Sequence, residues 1–265
     1  MMPLQALPFG LKAELTPGAQ VEALDPRAWR LSIPAGLGGR YRLAQLDNYS
    51  PRRRSAFPHR APFCLELEAR ASASSLPGTW GFGLWNDPFS MGALTGKALR
   101  FPALPNTAWY FFASVENCLS LRDDLPANGP LAATFQARRK PGARLALGAI
   151  ALPLMALSAG RRLLRRFAAA IVQQDAVSLD IDPADWHAFT LAWQTDQVRF
   201  TVDGRTLLQT KIAPAGPLGL VIWIDNQYAA FRPDGSLAYG MLENRQPGWI
   251  EVRNLRPCEP ASRGA

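Results

Sequence analysis

The sequence predicts an all-β protein forming one domain over residues 1–265, with an amphipathic helical segment inserted near 145–175. Three observations predict it. Short apolar runs with period-two alternation recur along the whole chain: "RAWRLSIP", "FCLELEARAS", "TWGFGLW", "AWYFFAS", "AFTLAWQ", "VRFTVDG", "LGLVIWID" and "GWIEVRNL". The 23 prolines and 21 glycines are spread between those runs instead of pooling in a linker, as expected where many short strands are punctuated by turns. One stretch alone breaks the pattern, "LALGAIALPLMALSAGRRLLRRFAAAIVQQD" from Leu145 to Asp175.

Each element has a local reason. In "FCLELEAR", Phe63, Leu65, Leu67 and Ala69 fall on one face and Cys64, Glu66, Glu68 and Arg70 on the other, the alternation of a half-solvated strand. "WGFGLW" gives Trp80, Phe82 and Leu84 one parity and Gly81, Gly83 and Trp85 the other, so glycines line a face that the opposing sheet or a ligand can approach. Between "VRFTV" and "TLLQT", Asp203-Gly204 supplies the positive φ angles of a tight hairpin turn. "RPDGS" at Arg232 to Ser236 reads as a second turn of the same chemistry. In the 145–175 segment, Leu163, Leu164, Phe167, Ile171 and Val172 share one helical face and Arg162, Arg165, Arg166 and Gln173 the other. The half that precedes them is apolar all round but is interrupted by Gly148 and Pro153. At about sixteen residues it falls short of the roughly twenty that span a bilayer.

Composition narrows the function classes. A net charge of +8 raises the possibility of phosphate partners, but the basic runs are local, at Pro51 to Arg54, Arg138 to Lys140 and Arg161 to Arg166, and no nucleic-acid-binding motif accompanies them. Nucleic acid is therefore not expected, and an anionic membrane surface accounts for the charge equally well. Cys64, Cys118 and Cys258 are odd in number and have no CxxC spacing, which predicts reduced cysteines and no zinc site. His59 and His187 sit in no metal spacing and beside no candidate nucleophile, and no glycine-rich phosphate loop occurs, so neither metal nor cofactor is expected. The first residues lack the basic-then-apolar form of a secretory signal, which makes a cytoplasmic location the expectation.

The stretch "LELEARASASSLPGTWGFGLW" resembles the E-x-R-A…G-T-W-x-x-x-W segment of family 16 glycoside hydrolases, "DWHAFTLAWQTDQVRFTVDGRTL" resembles that family's hairpin, and "WIEVRNLR" its closing strand. These segments cover roughly Phe63 to Leu84 and Asp185 to Arg256. The resemblance implies a concanavalin A-like jelly roll, a sandwich of two curved antiparallel sheets with a ligand cleft on the concave face. It also implies catalysis from an E-x-D-x-x-E strand holding two carboxylates about 5 Å apart. The corresponding strand here is "AWYFFAS", which has no acid. A surviving retaining mechanism would need Glu116 with Asp123 or Asp124, and those lie in segments that read as loops with no such spacing.

Two aromatic clusters are candidate ligand sites. Trp85 with Asn86 and Asp87 forms one, with Trp109 a further ligand-binding candidate, and Trp223, Asp225, Asn226, Gln227 and Tyr228 form the other, since rings stack on apolar ligand faces while amides and carboxylates bond hydroxyls. The alternatives are sandwich packing for the first and a strand-ending turn for the second. Arg161, Arg162, Arg165 and Arg166 are the candidates for contact with a membrane surface. The helical segment would then be an interfacial anchor, a lid over the cleft, or plain cover for a sheet. The function expected is a non-catalytic binding domain for a glycan, a glycolipid or an apolar small molecule, with a divergent glycoside hydrolase as the alternative.

Overall fold

The computed structural model describes residues 7–50, 52–88, 103–137 and 158–258. Its chain forms a jelly-roll sandwich of two seven-stranded antiparallel sheets. The strands are β1 (Lys12–Leu15), β2 (Gln20–Asp25), β3 (Ala28–Ile33), β4 (Leu43–Asp47), β5 (Phe63–Ala71), β6 (Thr79–Trp85), β7 (Asn106–Ala113) and β8 (Gly129–Ala137). After helix α1 (Ser158–Ile171) come β9 (Val172–Ser178), β10 (His187–Trp193), β11 (Val198–Val202), β12 (Arg205–Thr210), β13 (Gly219–Asp225), β14 (Gln227–Phe231), β15 (Leu237–Met241) and β16 (Gly248–Pro257). One sheet runs β1-β4-β13-β6-β7-β8-β9 and the other β12-β11-β10-β5-β16-β3-β2, while β14 and β15 pair as a separate hairpin.

Alternation decides what lies between the sheets. Trp80, Phe82 and Leu84 of β6, Tyr110 and Phe112 of β7, and Ile222 and Ile224 of β13 meet Leu65, Leu67, Phe189, Leu191, Phe200, Ile250 and Val252 from the facing sheet. Tyr110 carries its hydroxyl into this core and donates to the carbonyls of Thr190 and Thr201, both at 2.8 Å, which satisfies a polar atom that burial would otherwise penalise. The other face of the second sheet is solvated, as the alternation in β5 predicts. There Glu66 pairs with Arg256, Glu68 with Arg253, and Glu251 with both Arg30 and Arg70. The β11–β12 hairpin turns at Asp203 and Gly204, whose φ values of 49° and 76° are those the Asp-Gly pair favours.

Two expectations are corrected. Cys64 and Cys258 form a disulfide across 194 residues, and Cys118 is the free cysteine. Antiparallel pairing of β5 with β16 sets Leu65 opposite Pro257 and so brings the two cysteines side by side, a proximity that their spacing in the chain conceals. The helix ends at Ile171 and gives way to β9 at Val172, so 172–175 is strand, while the first expected half, through 157, lies outside the described residues. Its two faces are not cleanly divided between protein and solvent, since Arg162 and Arg166 are exposed while Arg165 on the same face is not. Arg165 is 4% exposed while Leu163 is 58% and Phe167 42% exposed. The reason is the surface α1 covers, which is a polar loop and not a dry core. Arg165 Nη1 donates to the Ser120 carbonyl at 2.6 Å, its guanidinium pairs with Asp123, and the ring of Phe231 lies 5.8 Å beneath it.

Candidate functional site

The outer face of the β4-β13-β6-β7-β8-β9 sheet is where the second parity of each strand ends up. In register across it lie Trp85, Thr107, Phe135 and Gln174 in one row, Val221, Gly83, Trp109 and Ala133 in the next, and Trp223, Gly81, Phe111 and Leu131 in a third. Asp225 and Thr79 begin a fourth row. The glycine parity of β6 belongs to this face, and rings occupy the space: a Cβ on Gly81 would lie 2.8 Å from Cη2 of Trp223 and collide with the Tyr110 carbonyl. Trp109 gathers Trp85, Phe111 and Trp223 around itself with centroids 5.9, 4.9 and 5.6 Å away. Such tilted contacts suit the quadrupoles of the rings.

Above this floor is a cavity of about 670 Å³. Leu119, Leu121 and Pro126 of the loop after β7 wall it on one side, Ala168 of α1 overhangs it, and Gln227, Ala229 and Tyr239 of the β14–β15 hairpin close another side. Pro88, Leu104 and Pro105 complete the rim beside Trp85. α1 is held as part of this enclosure by the buried Arg165 and by Arg161, whose Nε donates to the Gly235 carbonyl at 2.7 Å.

Most polar groups on the wall are engaged with one another. Gln45 donates to Asp47 at 2.7 Å, Gln174 donates to Ser120 Oγ at 3.1 Å and accepts from the Leu121 amide, and Thr79 Oγ1 donates to Asp225 while accepting from Trp223 Nε1. What remains toward the cavity is chiefly aromatic and aliphatic. Asp225 is the one carboxylate among the described residues that line it. Burial lifts its carboxyl to about 7, against the pull of hydrogen bonds from Thr79, the Gln227 amide and Tyr41. Tyr41 itself is raised well above the usual phenol range, first by burial and then by the nearby Asp225.

The residues singled out in the sequence divide into four groups. Trp85, Trp109, Trp223, Asp225 and Gln227 meet at the cavity although they come from four strands. Asn86, Asp87, Asn226 and Tyr228 do not line it. Asn86 ties the β6–β7 connection by donating to the Leu104 carbonyl and accepting from the Asn106 amide. Asn226 spends its side chain on the Arg42 amide and the carbonyls of Arg40 and Leu242. Asp87 is fully buried in a left-handed backbone conformation, and Tyr228 packs against Gly240. The acids Glu116, Asp123 and Asp124 lie off the cavity, Asp123 bound to Arg165 and Asp124 to Arg122. Of the four arginines, Arg162 and Arg166 are exposed, Arg161 is half-buried and Arg165 is buried.

Tyr41, Thr79, Thr107, Phe111, Phe135 and Tyr239 also line the cavity and were not anticipated. Thr107 and Phe111 had a signal, since both share the parity of Trp109 on one strand. Tyr41 and Tyr239 had none, because they arrive from segments distant in the chain.

No family model and no curated protein matches the chain. Among solved structures it is similar to a sialidase, with 7% identity, a TM-score of 0.44, and coverage of 95% of this chain and 17% of that one. It is similar to an endo-β-galactosidase from Clostridium perfringens that releases GlcNAcα1-4Gal, at 11% identity and a TM-score of 0.45, covering 92% of this chain and 55% of that one. A third is a β-1,3-1,4-glucanase (lichenase) derived from a mouse hindgut metagenome, at 11% identity and a TM-score of 0.45, with 91% and 83% covered. The chain thus spans about a sixth of the first and about half of the second of these proteins.

Proposed function

We propose that this protein is a non-catalytic binding module whose ligand is an apolar or amphiphilic small molecule held in the cavity under α1. The observation that carries the reading is a cavity of about 670 Å³ walled by Trp85, Trp109, Phe111, Phe135 and Trp223, with most of its polar lining already bonded internally. That volume lies within the range of small-molecule sites. Of the three ligand classes the sequence raises, a bare glycan is served least, since sugar hydroxyls need free amides and carboxylates. A glycolipid would place its apolar part here.

A binding role is also supported by the chemistry of the wall. The cavity-facing positions of β7 are Thr107, Trp109 and Phe111, and a single carboxylate cannot supply both the nucleophile and the acid of a retaining glycosidase. The test is binding of N-phenyl-1-naphthylamine, whose fluorescence rises in apolar surroundings. One saturable site is expected in the parent, lost in Ala133→Phe, which fills the cavity from its floor, and in Ala168→Trp, which fills it from the helix. A parent that binds no probe, or variants that bind it equally, refutes the reading; saturable binding of a β-glucan oligosaccharide instead would favour the glycan class.

A second reading concerns where the module works. Leu163 and Phe167 project to solvent between the exposed Arg162 and Arg166, an apolar pair flanked by cations on the outer side of the cavity's roof. This supports peripheral attachment to an anionic membrane, to which each such charge adds about 1 kcal/mol near the surface. Flotation with vesicles containing phosphatidylglycerol is expected to carry the protein, and Arg162→Gln/Arg166→Gln to abolish it. Flotation that ignores anionic lipid would refute this reading.

A further inference from the structure

Among the described residues, two buried side-chain atoms of residues that line the cavity have no hydrogen-bond partner, Trp85 Nε1 and Thr107 Oγ1. Both belong to buried residues, Trp85 being 7% and Thr107 1% exposed. Buried polar atoms are rarely left unpaired, because each forfeits its bonds to water on folding. A wall with only a structural role would be served by phenylalanine and valine at these positions. The other two unpartnered atoms among the described residues, Glu116 Oε2 and Asn244 Oδ1, belong to residues off the cavity.

The two are also neighbours. Trp85 and Thr107 stand directly opposite one another in the β6–β7 ladder. Side chains so paired have Cβ atoms about 4.5–5.5 Å apart, within reach of a single ligand group. The indole N–H can only donate and the threonine hydroxyl can donate, so together they suit an oxygen that accepts. No lysine or arginine is among the described residues lining the cavity, so this lining favours a neutral acceptor over a carboxylate or phosphate. The acceptor that fits is a neutral carbonyl oxygen, as in a ketone, ester or amide.

We infer that Trp85 and Thr107 form the polar anchor of the cavity, donating a pair of hydrogen bonds to a neutral carbonyl oxygen on an otherwise apolar ligand. This rests on the cavity reading above and adds the chemical class of the ligand. The test compares 2-acetylnaphthalene with 2-ethylnaphthalene, which share a ring system and differ at the carbonyl, as competitors of N-phenyl-1-naphthylamine. In the parent the ketone is expected to compete at least about tenfold better, the gain that paired donors give over orphaned ones. In Trp85→Phe/Thr107→Val the preference of the ketone over the hydrocarbon should fall to unity or below. Thr107→Val alone, which keeps the shape of the wall, should lose part of the preference and melt no lower than the parent. Equal competition by the two compounds in the parent, or a preference that survives in both variants, overturns the inference while leaving the cavity reading standing. Failure of the naphthylamine probe to bind at all removes both.

Discussion

Asp225 should make this protein less stable as pH rises through neutrality, the reverse of what a solvated or ion-paired aspartate does. Burial raises its carboxyl from 3.8 to about 7, and the groups acting on it, Thr79, the Gln227 amide and Tyr41, include no cation to hold the charged form. Between those two values the folded chain keeps a proton that the unfolded chain has released, so unfolding releases a proton and stability falls with rising pH until it levels off above 7. At 1.36 kcal/mol per unit, the rise of about three units amounts to about 4 kcal/mol across the window. Asp225→Asn keeps an acceptor for Thr79 and Gln227 and removes the ionisation. Urea unfolding of parent and variant at intervals from pH 4 to pH 8 isolates the effect, because other titrating groups cancel in the difference. The variant is expected to gain on the parent by about 4 kcal/mol over that range, nearly all of it below pH 7.5. Curves that run parallel would show that Asp225 ionises freely in the fold, and the account of its burial beneath Tyr41 would be wrong.

Three further outcomes follow from the same structure. His59 is lowered to about 4 by burial beside Phe63 and Phe9, so its contribution is complete above the ordinary value of 6.5 and is lost as pH falls toward 4. Up to about 3 kcal/mol is involved, and acid unfolding of His59→Gln should lack that part of the slope. Removing the Cys64–Cys258 bond by Cys64→Ser should cost about 2–5 kcal/mol, read as a melting temperature lower by roughly 5–20 °C, with thiol titration of the native parent finding Cys118 alone. Gly81→Ala, whose Cβ would strike the Tyr110 carbonyl and the Trp223 ring, should lose about 3 kcal/mol in denaturant unfolding and weaken probe binding with it.

Much of the sandwich is legible from period two alone. The alternation in "FCLELEAR" sets Leu65 and Leu67 on the packed face, and that in "WGFGLW" groups Trp80, Phe82 and Leu84 on one side, which the structure puts between the sheets. Less legible are β4, "LAQLD", and β8, "GPLAATFQA", strands buried on both faces, where side chains of either parity meet packed neighbours and the alternation fades. In the cavity, each tryptophan announces a large apolar surface but not which sheet face receives it. Trp193 enters the sandwich core with its Nε1 on the Pro214 carbonyl, while Trp85, Trp109 and Trp223 go to the outer face. Asn86 and Asn226 looked like ligand contacts and are instead the fasteners of loops, since an amide that can grip a ligand grips a backbone equally well.

Local chemistry is therefore sufficient for the strands, the Asp203-Gly204 turn and the existence of one helix, because each depends on residues within a few positions of one another. The partners of those elements are decided only when the sheets assemble. The apolar stripe of α1 groups Leu163 with Phe167 without saying which side of the helix meets the protein, and that is decided by a loop whose carbonyl and carboxylate take Arg165. The cysteine spacing argued against a bond that the pairing of β5 with β16 makes natural. Asp225 could be an ordinary turn acid until Tyr41 and Thr79 reach its carboxyl from distant parts of the chain and the fold buries it. In each case the deciding energy comes from groups 40 to 200 positions apart, and no pattern within a strand or a helix carries information about them.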